Sequence, residues 1–91
     1  MPTVEIYTRD YCYYCEAAKT LLRRKGVTFT EINIGRERTR RTEMLQRARG
    51  RSTVPQIFIG QTHVGGSDDL HALESAGRLD PLLGAGADRP A

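Results

Sequence analysis

Apolar positions along the chain switch between the two-residue period of strands and the 3.6-residue period of helices, and the switches mark seven elements. Val4-Glu5-Ile6-Tyr7-Thr8 is β-branched and aromatic, bounded by Pro2 and Arg9-Asp10, and reads as a strand. From about Tyr13 to Lys25 the apolar residues Ala18, Leu21 and Leu22 form one helical stripe, with Gly26 as its stop. Val27 to Ile34 reads as a second strand. Residues 36 to 50 read as a second helix, its buried stripe Met44, Leu45 and Ala48, closed by Gly50. Val54-Pro55 leads into a strand from Gln56 to Ile59, since proline is tolerated where a strand begins. Gly60-Gln61 turns the chain into a short strand, Thr62-His63-Val64. After Gly65-Gly66, Ser67 is expected to cap a third helix through about Ala76, and Leu79 to Leu83 adds a last apolar turn. The order β-α-β-α-β-β-α puts a parallel βαβ unit before a hairpin. The expected class is therefore α/β: a four-stranded mixed sheet flanked by three helices. Residues 1–84 form one expected domain, and the Gly/Ala/Pro-rich residues 85–91 an expected flexible tail.

Composition narrows the setting. At 91 residues, 38% hydrophobic and 27% charged, the chain has the make-up of one small soluble domain. No apolar run approaches the ~20 residues of a membrane span, and Met1 to Glu5 does not resemble a secretory signal. A cytoplasmic location is expected. The net charge of +3 comes mostly from arginine and permits a small anionic substrate or an acidic partner. Arg36, Arg38, Arg40, Arg41, Arg47, Arg49 and Arg51 fall in or beside the second helix. The bland reading is a solvated face; the sharper one is a basic rim steering anions. Nucleic-acid binding is not expected, because aromatic residues do not interleave the charge.

Both cysteines, Cys12 and Cys15, stand two residues apart where the first strand gives way to the first helix. In a reducing compartment such a pair is catalytic rather than structural. Only a thiolate attacks a disulfide. Cys12 lies where free helix N–H groups and the positive end of the dipole favour that anion, with Arg9 three residues upstream. Cys12 is thus the expected nucleophile. Cys15, one turn further in, is the expected resolving thiol. A zinc site would need two more ligands. His63 and His71 lack that spacing and read as surface or turn residues.

The chain resembles the glutaredoxins, most of all the small bacterial glutaredoxin 3 type. The likeness runs from Val4 to Leu83 and rests on Cys12-Tyr13-Tyr14-Cys15, Thr53-Val54-Pro55 and Gly65-Gly66-Ser67-Asp68-Asp69-Leu70. It implies a thioredoxin fold, and a redox disulfide between Cys12 and Cys15. It also implies a monomer that uses glutathione as co-substrate to reduce protein disulfides and protein–glutathione mixed disulfides. The glutathione-binding residues it implies are Arg9, Tyr14, Thr53, Val54, Pro55, Gly66, Ser67, Asp68 and Asp69. Pro55 would follow a cis bond, and the Val54 backbone would pair with the substrate's cysteinyl backbone. The helix start at Ser67 would take a carboxylate, and Asp68 and Asp69 an ammonium. Arg9, with Gln56 or Arg38, would take the glycyl carboxylate, and Tyr14 would line the groove. Three positions depart from the family pattern: Tyr13 replaces the usual proline, Ser67 a frequent extra cysteine, and Arg9 a frequent lysine. The loss of proline leaves an alternative open, a [2Fe–2S] carrier with Cys12 and glutathione as ligands in a dimer. A thioredoxin-like reductant served by a flavoprotein is a further alternative, disfavoured by the zwitterion site.

Overall fold

The computed structural model describes residues 2–84, so the expected tail at 85–91 lies outside the described residues. The elements are β1 (Val4–Thr8), α1 (Tyr13–Arg24), β2 (Thr30–Asn33), α2 (Arg40–Arg47), β3 (Gln56–Ile59), β4 (Thr62–Gly65), α3 (Ser67–Ser75) and α4 (Leu79–Leu83). The sheet order is β2-β1-β3-β4. β1 is parallel to β2 and antiparallel to β3, and β3 is antiparallel to β4. This is the expected four-stranded mixed sheet; the last apolar turn becomes a fourth short helix.

Side chains alternate across a strand, so β1 and β3 serve two cores at once. Val4 and Ile6 of β1 join Ile57 and Ile59 of β3 on one face, against Ala18, Leu21 and Leu22 of α1, Leu70 of α3, and Leu79 and Leu83 of α4. Tyr7 and Phe58 point to the other face, where Met44 of α2, Ala48, Ile32 and Ile34 cover them. Burying one such aliphatic side chain contributes about 1.5–3 kcal/mol. Both faces of the sheet are therefore anchored where β1 hands the chain to the cysteines.

Four boundaries differ from the sequence pattern, each for a local reason. The second strand pairs only from Thr30, opposite Glu5, because the Val27 N–H turns back to the Leu22 carbonyl at the end of α1. The second helix starts at Arg40 rather than 36. Before it, the Asn33 side-chain oxygen accepts from the Gly35 and Arg36 N–H groups (2.9 and 3.1 Å), a local turn that competes with helix. It ends at Arg47: Arg49 has φ +55° and Gly50 N–H closes onto Leu45 O. The third helix is capped by Gly66, not Ser67. The Asp69 carboxylate reaches back to the Gly66 N–H at 2.8 Å, and Ser67 is already helical.

A polar network stitches α2 to β1. Tyr7 donates its hydroxyl hydrogen to Glu43, and Arg47 donates to the Tyr7 oxygen (2.9 Å) and to Glu5 (2.8 Å). Burial, then the Glu43 contact, pushes the Tyr7 phenol above its ordinary value. The Arg40 and Tyr7 hydrogen bonds hold Glu43 below the usual carboxylate range.

Candidate functional site

Cys12 is the N-cap of α1. Its backbone is extended (φ −114°, ψ 105°), and its sulfur accepts the Cys15 N–H at 3.1 Å. The pair is oxidised to a disulfide, with Cα atoms 5.2 Å apart. Access separates the two sulfur-bearing residues: Cys15 is fully buried, whereas Cys12 is partly exposed. An N-cap faces N–H groups without intrahelical partners and the positive end of the helix dipole, so this position favours a sulfur anion. Tyr11, with φ +57°, swings fully into solvent just before it, and Tyr13 and Tyr14 stand largely exposed just after. The Tyr13 and Tyr14 rings meet edge to face at 5.4 Å.

Opposite the cysteines, the Val54–Pro55 bond is cis. Cys12 Sγ lies 4.0 Å from the Val54 carbonyl oxygen. A cleft of about 400 Å³ opens beside them, lined by Tyr14, Arg51, Thr53, Val54, Pro55, Gly66, Ser67 and Asp68. It thus gathers one helix start, one loop and a second helix start. Gly65 makes the last approach possible. Its φ is +114°, and a Cβ there would run into the Asp69 carboxylate and the Arg51 guanidinium.

Two of the residues expected to bind glutathione do not line this cleft. Arg9 lines a separate depression of about 510 Å³ with Ile34, Gly35, Arg38, Thr39 and Arg41. Asp69 is engaged within its own helix cap and meets Arg51 at 3.4 Å, leaving Asp68 as the exposed carboxylate on the cleft. Gln56, an alternative for the glycyl carboxylate, is fully buried and bonded at both ends. That role is closed to it. Arg51, read from the sequence as one arginine of a run, is a cleft residue; its place two positions before Thr53 is the only sequence signal for this. His63 is no turn residue either. It lies on β4, stacked on Phe58 with ring centroids 4.8 Å apart. Burial, followed by Arg51, pushes its imidazole below the ordinary value, with Asp69 pulling the other way.

A Cys-x-x-Cys at the N-terminus of α1, facing a cis-proline loop across a β2-β1-β3-β4 sheet, defines a thiol-disulfide oxidoreductase of thioredoxin fold. Residues 4–64 match the glutaredoxin family model. The chain is 59% identical over 85 residues to a glutaredoxin of Pseudomonas aeruginosa, covering 93% of this chain and 100% of that one. It is 55% identical over 83 residues to glutaredoxin 3 of Escherichia coli K12, covering 91% and 99%. Among solved structures, the buckwheat glutaredoxin-glutathione complex superposes with a TM-score of 0.83 at 28% identity, covering 98% of this chain and 83% of that one. The chain belongs to the glutaredoxin family. Its activity is that of a glutathione-dependent thiol oxidoreductase, and the comparisons do not support the cluster carrier over it.

Proposed function

We propose that this protein reduces protein–glutathione mixed disulfides and protein disulfides, with Cys12 as nucleophile and Cys15 as resolving thiol. The observation that carries the assignment is the asymmetry of access, a partly exposed N-cap sulfur at the cleft against a fully buried partner. In the first route the Cys12 thiolate attacks the glutathionyl sulfur of the mixed disulfide. A Cys12–glutathione disulfide forms and the client leaves as thiolate. A glutathione thiolate then attacks the glutathionyl sulfur of that intermediate, which returns Cys12 as thiolate and releases oxidised glutathione. In the second route Cys12 attacks a client disulfide, and the Cys15 thiolate displaces the client to give the Cys12–Cys15 disulfide. Two glutathione molecules reduce that disulfide in turn.

The binding reading follows the cleft. The buckwheat relative was solved as a glutathione complex, and an equivalent tripeptide suits the pocket here. Val54 pairs with its cysteinyl backbone, and Thr53, Pro55 and Tyr14 frame the sulfur. The γ-glutamyl carboxylate takes the free N–H groups of the α3 start at Ser67, and its ammonium takes Asp68. Asp69 acts by capping that start. Arg9 and Arg38, which share a depression, take the glycyl carboxylate. The protein works as a monomer in the reducing cytoplasm, and residues 1–84 suffice for activity.

A glutathione-coupled disulfide assay decides the roles. Cys12→Ser should abolish turnover by both routes. Cys15→Ser should keep deglutathionylation and lose reduction of client disulfides. Full activity in the Cys12 variant would remove the assignment.

A further inference from the structure

Gln56 and His63 take no part in the thiol chemistry above, yet the structure couples them to it. The Gln56 side chain is fully buried. Its amide nitrogen lies 3.0 Å from the Thr53 carbonyl oxygen and 3.2 Å from Thr53 Oγ1. A carbonyl oxygen can only accept, so the group facing it is the NH2, and Gln56 Oε1 must face the other way. There it meets His63 Nε2 at 2.6 Å. Oε1 also only accepts, so Nε2 carries the proton, whether the ring is neutral or charged. The His63 ring is held flat on Phe58, and the Arg47 guanidinium lies over Phe58 at 4.1 Å from its centroid.

The effect reaches the cleft through one peptide unit. Among the described residues the only cis bond is Val54–Pro55, so the Thr53–Val54 peptide is trans. In a trans peptide the C=O and N–H point in opposite directions. The Thr53 carbonyl is drawn inward to a fully buried amide, which turns the Val54 N–H outward. Without a donor at His63, the Gln56 amide is free to rotate end over end. That would set oxygen against the Thr53 carbonyl and release the peptide plane.

We propose that His63 is a positioning residue for substrate: through Gln56 it fixes the Thr53 carbonyl, and so aims the Val54 N–H at the backbone of the incoming cysteinyl group. This rests on the reading of the cleft as the glutathione site. It assigns a role in recognition to a side chain that touches neither the sulfurs nor the substrate.

The test combines a measurement free of substrate with a kinetic one. In the wild-type protein, 15N NMR of the imidazole should report the Nε2–H form; a neutral ring protonated at Nδ1 would overturn the proposal without any variant. His63→Phe keeps a flat ring for Phe58 and removes the donor. It should shift the Gln56 side-chain amide signals and raise KM for a glutathionylated peptide roughly threefold to tenfold, the size of one lost hydrogen bond. Its kcat should stay near wild type. His63→Gln restores a donor and should bring KM back towards wild type. Unchanged Gln56 signals, or shifted signals with unchanged KM, would overturn it. So would losses that follow Tm equally in both variants. If instead the wild-type protein shows no saturable dependence on the glutathionylated peptide, the cleft reading fails, and the NMR result still judges the His63–Gln56 coupling on its own.

Discussion

The Cys15 amide donates its hydrogen to the Cys12 sulfur across 3.1 Å, so the buried member of the pair supplies a dipole to the exposed one. That bond survives any change to the Cys15 side chain, because only the backbone makes it. The thiolate-stabilising geometry is therefore intact in Cys15→Ser, which makes this variant the right background for titrating Cys12.

Tyr13→Pro tests the other N–H groups at the helix start. Tyr13 is the first helical residue, where proline is well tolerated. Cys12 already has the extended backbone that a following proline demands. The substitution fits without strain, gains about 0.4–1 kcal/mol from a stiffer unfolded chain, and loses the edge contact with Tyr14. Stability should change by less than about 1 kcal/mol. The Cys12 pKa should rise, because one N–H near the sulfur is gone. Ultraviolet thiolate absorbance in the Cys15→Ser background measures it, and an unchanged or lower pKa would count against the helix-start argument.

Gly65→Ala should damage stability and binding together. The residue has φ +114°, and the added methyl would meet the Asp69 carboxylate that caps α3. A strained backbone of this kind costs of the order of 1–3 kcal/mol. Urea unfolding should show that loss, and KM for the glutathionylated peptide should rise because the α3 start shifts. A variant as stable as wild type would show that the turn relaxes freely.

Arg51→Ala and Met44→Ala should separate binding from folding. Arg51 is about half exposed and its contact with Asp69 is 3.4 Å, a surface pair worth about 0–1 kcal/mol. Met44 is fully buried, and truncating it costs about 2–5 kcal/mol. The first change should raise KM with little effect on Tm, and the second should lower Tm with KM nearly intact. Steady-state kinetics beside thermal melts will check both.

Stability should fall at both ends of the pH scale, through different residues. The Arg40 and Tyr7 hydrogen bonds hold Glu43 below its usual 4.5. Glu31 is also held low: burial opposes, but the Thr8 and Lys19 hydrogen bonds prevail. Depressed carboxylates stabilise the fold above about pH 4.5, and that contribution disappears as pH falls through their folded values. Tyr7 is raised from 10.0, so its contribution is complete below that value and disappears as pH climbs above it. Tm recorded across the acid and alkaline ranges should show both limbs. Glu43→Gln should flatten the acid limb and Tyr7→Phe the alkaline one; unchanged limbs would remove these groups from the account.

What could be read from the sequence was what is local. Cys12 at the start of α1 and the Gly65-Gly66 break each carry their geometry within a few residues, whereas the cis bond before Pro55 was implied only by the family resemblance. The mixed sheet, with a parallel βαβ unit before a hairpin, followed from connection rules. The start of α2 was misplaced because Asn33 turns the chain with its own side chain, a contest that apolar periodicity does not register. The cap of α3 was displaced by one because Asp69 caps from inside the helix, a contact available to a glycine as well as to a serine. Arg51 and His63 were missed for a deeper reason. Their importance lies in contacts with Asp69 and Gln56, on other elements, and no spacing along the chain encodes those.

The fully buried Cys15 and its partly exposed partner make the disulfide a one-way turnstile. On the roles proposed for the pair, an incoming thiol meets the Cys12 sulfur, so the bond opens in one sense and the departing anion is retained inside. A chain of this size thus obtains directionality from nothing more than one turn of helix.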